Sequence, residues 1–190
     1  MADYDIAAVD LDGDSFEVRQ ALVRNKYDVR DADGEVVLKA KQKLFKLKEQ
    51  FPFVTDDGDP AFTVAAGGIL DIGGTYTIVD DTTGEDVVVL DEDYSLFAEN
   101  WTIRDPDTGD ALATIESRST VLSALRHLIG VVNLVPNKYD IYDPEERAVG
   151  AIEGQFSVKD TYTVTIDDAR TIPKEGVVAA ACVIDALENQ

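Results

Sequence analysis

Four times along this 190-residue chain an aromatic residue is followed, four positions later, by an aspartate and then by a turn. The copies are Tyr27-Asp28-Val29-Arg30-Asp31-Ala32-Asp33-Gly34, Tyr76-Thr77-Ile78-Val79-Asp80-Asp81-Thr82-Thr83-Gly84, Trp101-Thr102-Ile103-Arg104-Asp105-Pro106-Asp107-Thr108-Gly109 and a looser Tyr139-Asp140-Ile141-Tyr142-Asp143-Pro144-Glu145-Glu146. Apolar residues at alternate positions are the signature of a strand with one buried face, so each copy reads as the first arm of a β-hairpin. Aspartate caps such a turn with its own carboxylate, proline presets φ, and glycine supplies the positive φ that reverses the chain.

Second arms follow the turns. Val36-Val37-Leu38, Val87-Val88-Val89-Leu90, Ala111-Leu112-Ala113-Thr114-Ile115 and Tyr162-Thr163-Val164-Thr165-Ile166 are rich in strand-forming residues. Short strands separated by turn signals every ten or so residues predict antiparallel sheet over most of 15–167, in a sandwich or a barrel. The length fits one domain over 15–190, preceded by an acidic arm over 1–14.

Two segments depart from the strand period. In Thr120–Ile129, apolar residues at 121, 122, 125, 128 and 129 share one helical face, which predicts a short amphipathic helix with Thr120 as N-cap. His127, the only histidine, sits beside that face and reads as a boundary residue. From Val177 to Leu187 every residue but Asp185 is apolar. A helix apolar on all sides belongs in a core or a membrane. Crossing hydrocarbon takes roughly 20 residues, which this run does not reach. Val177, Val178, Ala180, Ala181, Val183, Ile184 and Leu187 are therefore expected to form a slender core helix, either filling a barrel or lying on one sheet face.

Charge narrows the function. The chain carries 38 acids (26 Asp, 12 Glu) against 17 bases, a formal charge of −21, which excludes a nucleic-acid binder working by general attraction. The acids are scattered, with no run of five or more, and so read as solvation of a whole surface. Self-repulsion on this scale is relieved at molar salt, where the Debye length falls to roughly 3 Å. The expectation is a halophile's cytoplasmic protein. One cysteine and one histidine cannot build an intrachain disulfide or a Cys/His zinc site, and no cofactor loop is legible. No apolar run is long enough to be a transmembrane segment, and the first residues show no basic start or apolar stretch of an export signal.

Lys41-Gln42-Lys43-Leu44-Phe45-Lys46-Leu47-Lys48-Glu49-Gln50-Phe51, the repeated hairpins, Gly154-Gln155-Phe156-Ser157-Val158-Lys159-Asp160-Thr161-Tyr162-Thr163-Val164 and the Val177–Leu187 helix, in that order, resemble the LURP-one-related proteins. These are similar in fold to the tubby C-terminal domain and the phospholipid scramblases. The resemblance, over about residues 24–188, implies a closed antiparallel barrel of twelve strands around a central C-terminal helix. It implies no defined activity. The basic side chains with which tubby domains hold phosphoinositides, and the calcium-binding segment and membrane anchor of scramblases, have no counterpart here.

Two motifs invite chemistry. Asp10-Leu11-Asp12-Gly13-Asp14 has the acids of an aspartyl-phosphatase motif, but Asp14 stands where Thr or Val is expected and no strong strand precedes it. As a calcium loop it lacks Gly at the sixth place, which is Ser15, and an acid at the twelfth, which is Ala21. Asp71-Ile72-Gly73-Gly74-Thr75 resembles a sugar-kinase phosphate loop without the α/β context, and reads as a turn or bulge.

The lysines are the remaining candidate. Residues 19–48 hold nine bases and four acids, a charge of +5 against −26 for the rest. Strand period places Lys39, Lys41 and Lys43 on one face, opposite Leu38 and Ala40. Lys46 and Lys48 follow after a change of phase near Leu44, where a bulge or turn is expected. The strip could hold an anionic lipid headgroup, a phosphate or a protein's acidic edge, or could simply guard an exposed strand edge. The expected function is a non-catalytic binding or interaction module. An anionic-headgroup binder using the lysine strip and a phosphatase using Asp10 and Asp12 are the alternatives.

Overall fold

The computed structural model describes residues 4–20, 27–40, 50–67, 74–94, 99–118, 138–155, 161–167 and 172–188. Twelve strands follow one another: β1 (Ser15–Gln20), β2 (Tyr27–Arg30), β3 (Val36–Ala40), β4 (Phe51–Thr55), β5 (Pro60–Ala66), β6 (Thr75–Asp80), β7 (Asp86–Tyr94), β8 (Glu99–Arg104), β9 (Ala111–Ser117), β10 (Lys138–Tyr142), β11 (Ala148–Gln155) and β12 (Thr161–Ile166). A helix, α1 (Lys174–Glu188), comes after them. Each strand pairs antiparallel with its neighbours in sequence, and β1 pairs with β12, Ser15 opposite Thr165 and Arg19 opposite Thr161, closing the barrel. Closure removes every strand edge. β3 is paired on both sides, with β2 and with β4. Lys39 therefore guards no edge, contrary to the simpler expectation for the lysine strip.

Even strands share one layout. Tyr27, Phe51, Tyr76, Trp101, Tyr139 and Tyr162 are all buried near their beginnings, and Val29, Phe53, Ile78, Ile103, Ile141 and Val164 are buried two places on. Two places further, the same face carries Asp31, Thr55, Asp80, Asp105 and Asp143 at the turns. The register slips at the second or third residue after the aromatic in all five hairpins, at Val29/Arg30, Phe53/Val54, Ile78/Val79, Ile103/Arg104 and Ile141/Tyr142. Such bulges add twist, which a closing sheet needs. Phe53 and Phe62 stack across the second hairpin at 4.5 Å, and Tyr76 lies 6.0 Å from Trp101.

Buried and half-buried residues alternate along most of the strands, with adjacent buried pairs such as Phe53-Val54, Ala61-Phe62 and Val87-Val88, and the buried faces form one continuous cluster that includes Val177–Ile184 of α1. Burying a large apolar side chain contributes roughly 1.5–3 kcal/mol, so this single cluster dominates the stability. The helix starts three residues earlier than the apolar run, at Lys174, where the Val177 amide donates to the Pro173 carbonyl at 3.0 Å. Each of Val177, Val178, Ala179, Ala180, Ala181, Cys182, Val183 and Ile184 is at most 3% exposed. Leu187 lies within the helix, its side chain outside the described set. α1 packs against β1, β12 and β7. The expected amphipathic helix over 120–129, with His127, and the phase change near Leu44 fall outside the described residues.

The five tight turns, after β2, β4, β6, β8 and β10, all lie at one rim. β1 begins and β12 ends there, where the Ile166 amide donates to the Asp14 carbonyl at 2.8 Å. Residues 4–14, expected as an acidic arm, lie at this rim with Ile6 and Leu11 buried in the main cluster.

Candidate functional site

The turn rim is built from one device used five times. Asp31 Oδ1 accepts the amides of Asp33 and Glu35, and Asp80 Oδ1 those of Thr82 and Thr83. Asp105 Oδ1 accepts Asp107 and Thr108, and Asp143 Oδ1 accepts Glu145 and Arg147. A side-chain oxygen that closes its own turn in this way is what favours aspartate there. The fifth copy was missed in the sequence: Phe51-Pro52-Phe53-Val54-Thr55-Asp56-Asp57-Gly58 has Thr55 Oγ1 accepting the Asp59 amide at 3.2 Å. Its legible signal was Gly58, which takes φ +95°. In the fourth copy Glu146 occupies the left-handed region at φ 61°, where Gly34 and Gly58 stand in the equivalent turns.

Two of these carboxylates reach beyond their turns. Asp80 Oδ2 accepts the Ala7 amide at 2.7 Å, and Asp105 Oδ2 accepts the Tyr4 hydroxyl at 2.7 Å. Burial works to raise the Asp80 pKa, but the amides of Ala7, Thr82 and Thr83 hold it below its usual value. The Thr108 amide and then the Tyr4 hydroxyl do the same for Asp105, and the Arg147 guanidinium for Asp143. Tyr4 itself, by burial and by its bond to Asp105, is pushed up to about 12. These are carboxylates held ionised as acceptors, a state suited to anchoring and ill suited to donating protons.

The first turn of α1 completes the rim. Lys174 Nζ donates to the Leu11 carbonyl at 2.7 Å. Glu175 is buried, and that burial, with Asp5 and Asp10 nearby, pushes its pKa up against the opposing pull of its own backbone amide and Lys174.

The expected site residues are dispersed. Lys39 stands on the outer face of β3, opposite buried Leu38 and Ala40, and its Nζ donates to the Asp56 carbonyl at 2.6 Å. Lys41, Lys43, Lys46 and Lys48 lie outside the described residues. Asp10 and Asp12 are exposed on the irregular segment ahead of β1, so no strand presents them as a phosphatase's strand presents its nucleophile. Of Asp71-Ile72-Gly73-Gly74-Thr75 only the last two are described. They continue the ladder, Gly74 accepting the Glu92 amide at 2.9 Å, and a Cβ at 74 would stand 2.6 Å from Glu92 Oε2. Bases among the described residues are tied within the chain: Arg19 to Glu17, Arg30 to the Gly34 carbonyl, Arg104 to Asp91, Arg118 to Asp140 and Glu153, Lys138 to Glu153 and Arg147 to Asp143. Among the described residues no cluster of three His, Cys, Asp or Glu has the placement of a metal site, and no helix is long and apolar enough to cross a membrane.

Comparison with known proteins supports the architecture. A family model described as LURP-one-related matches residues 36–185. The fold is similar to the X-ray structure of a protein from Arabidopsis thaliana, with a TM-score of 0.57 and 10% identity over 97% of this chain and 99% of that one. At that identity the likeness speaks for the fold alone. No curated protein matches.

Proposed function

The chain belongs to the LURP-one-related family, and from that premise we propose that it is a non-catalytic binding module that reads a cationic partner, a basic protein segment, through its turn rim. The observation that carries this reading is the convergence of exposed acids on one end of the barrel: Asp33 and Glu35, Asp56, Asp57 and Asp59, Asp81, Glu85 and Asp86, Asp107 and Asp110, and Glu145 and Glu146 stand on five turns. A rigid frame of closed hairpins holds these charges at fixed spacing, which favours steering and register over raw affinity. The turn carboxylates beneath them serve as acceptors, which supports a binding role over acid–base chemistry.

The frame depends on what fills it. In this reading α1 runs through the barrel's interior. Burial on every side from Val177 to Ile184 supports this, as does packing against β1 and β12 and also against β7 on the far side of the ring. The salt-adapted cytoplasmic setting belongs to the same proposal and is supported by the charge of −21.

The test is a binding comparison on the full chain with a decalysine peptide and with phosphatidylserine vesicles, at 0.1 M and at molar salt. The proposal expects peptide binding that weakens with salt and falls when Asp56, Asp57 and Asp107 are all changed to Asn. Peptide binding unaltered by those changes would place the contact elsewhere. Vesicle binding without peptide binding, lost when Lys39, Lys41, Lys43, Lys46 and Lys48 become Gln, would replace this reading with the anionic-headgroup one. Phosphatase activity abolished by Asp10→Asn would replace it with the enzymatic one.

A further inference from the structure

Residues 4–14 are attached to the barrel in an unusual way. They contribute no strand to the sheet, yet they touch two separate hairpins and the helix. Ala7 donates its amide to Asp80 and Tyr4 its hydroxyl to Asp105, partners 73 and 101 residues away in sequence. Ile6 and Leu11 are 1% and 3% exposed, and the Leu11 carbonyl receives Lys174 Nζ. Within the segment a turn bond runs from the Val9 amide to the Ile6 carbonyl at 2.9 Å.

Every one of these anchors is a point contact. The sheet ladder begins at Ser15, and Asp14, whose carbonyl accepts the Ile166 amide, stays with it, so residues 4–12 can leave without breaking a strand pair. Between them and β1 stands Gly13, with φ +94° and no atom within 4 Å of where a Cβ would be. That conformation and that open space are those of a pivot. Opposing the anchors is charge: Asp5, Asp10 and Asp12 are exposed on the segment, at the rim where the turns carry their own exposed acids.

We propose that residues 4–12 form a displaceable strap that opens and closes about Gly13 over the first turn of α1 while the barrel stays folded. Closing is favoured by the two apolar anchors and three hydrogen bonds, and opening by repulsion between the segment's exposed acids and those of the turns on the same rim. Salt screens that repulsion, so the strap closes as ionic strength rises. Release uncovers the seats of Ile6 and Leu11, the free Oδ2 atoms of Asp80 and Asp105, and the Lys174–Glu175 turn. The proposal concerns this segment alone and does not depend on what the turn rim binds.

Local opening of this kind is read by native-state hydrogen exchange. On the full chain, the amides of Ala7 and Val9 should exchange faster than ladder amides such as Val164 and Ile103, with little dependence on denaturant. Their exchange should slow as salt rises from 0.1 to 1 M. Tyr4→Phe, which removes one hydroxyl and leaves the fold intact, should speed Ala7 exchange about fivefold, the factor expected for one lost hydrogen bond, and leave the ladder amides unchanged. Gly13→Pro supplies an independent arm: proline holds φ near −65°, far from the +94° of the closed segment, so it should abolish Ala7 protection and leave the ladder amides unchanged. Ala7 and ladder amides that exchange together, with one denaturant dependence and one response to both variants, would show that the segment leaves only when the whole barrel unfolds and would overturn the proposal.

Discussion

Gly176 of α1 lies directly against Val88 of β7: a Cβ added at 176 would stand 3.1 Å from Val88 Cγ2. Val88 is fully buried, and a β-branched side chain is stiff at χ1. Alanine at 176 would gain about 1 kcal/mol of helix propensity and lose about 1–3 kcal/mol to overpacking. Gly176→Ala should therefore lower the urea midpoint, and Val88→Ala in the same chain should return part of the loss. Additive effects of the two changes would separate the residues.

Ala180 is fully buried in α1. Ala180→Asp would place an unpaired charge there, at a cost of about 3–5 kcal/mol by analogy with broken buried pairs. Urea denaturation at molar salt is the measurement. A variant as stable as the parent would mean that this face of α1 reaches water.

Acid should unfold the chain in a defined window. Asp80, Asp105 and Asp143 are held below the usual carboxylate value. The stability they contribute is complete above that value and is lost as pH falls through their lowered ones. Glu175, held high, acts with the opposite sign: its contribution is complete below its unfolded value and is lost as pH rises through the raised one. Stability should peak in mild acid, between the two sets, and Glu175→Gln should flatten the alkaline side of the peak while leaving the acid limb unchanged.

Glu146 occupies the left-handed region that Gly34 and Gly58 fill in the equivalent turns. Glu146→Gly should raise the melting temperature, since relief of about 1–2 kcal/mol of backbone strain outweighs glycine's entropy cost of about 0.5–1 kcal/mol. A lower melting temperature would show that the Glu146 side chain contributes more than its backbone costs.

Screening should stabilise a chain of charge −21. The melting temperature is expected to climb as KCl is raised from dilute buffer to molar concentration. A flat response would remove the reading of salt adaptation.

The hairpins were legible because their chemistry is local. An aromatic, an aspartate and a glycine within eight residues specify strand, cap and reversal without reference to the rest of the chain. Thr55 hid the fifth copy because a hydroxyl caps a turn as a carboxylate does but is common everywhere. Gly58 alone carried the signal there. Ile6 and Leu11, five apart among acids, match neither the strand nor the helix period, and what buries them lies far along the chain. The same holds for Lys39, whose carbonyl partner on Asp56 is 17 residues away. The charge pattern marked a basic strip, while the pairing of β3 on both sides and the carbonyl bond of its first lysine depend on residues distant in sequence. The gathering of acids at the turn rim was invisible for a related reason: acids spread evenly in sequence come together only when hairpins of similar length fold to a common end.

Pairing of residues 15–19 with 161–165 also dictates a schedule for biosynthesis. β1 can zip to β2 as soon as both leave the ribosome, but its other flank stays open until β12 has emerged, about 150 residues later. The side chains of α1 join the core later still. Contacts of such long range fold slowly, and an open sheet is prone to pair with its neighbours on a polysome. The nascent chain thus needs its charge, or a chaperone, most before it is complete. Once shut, the ring has no terminal strand from which to fray, so the finished barrel should be lost slowly and all at once.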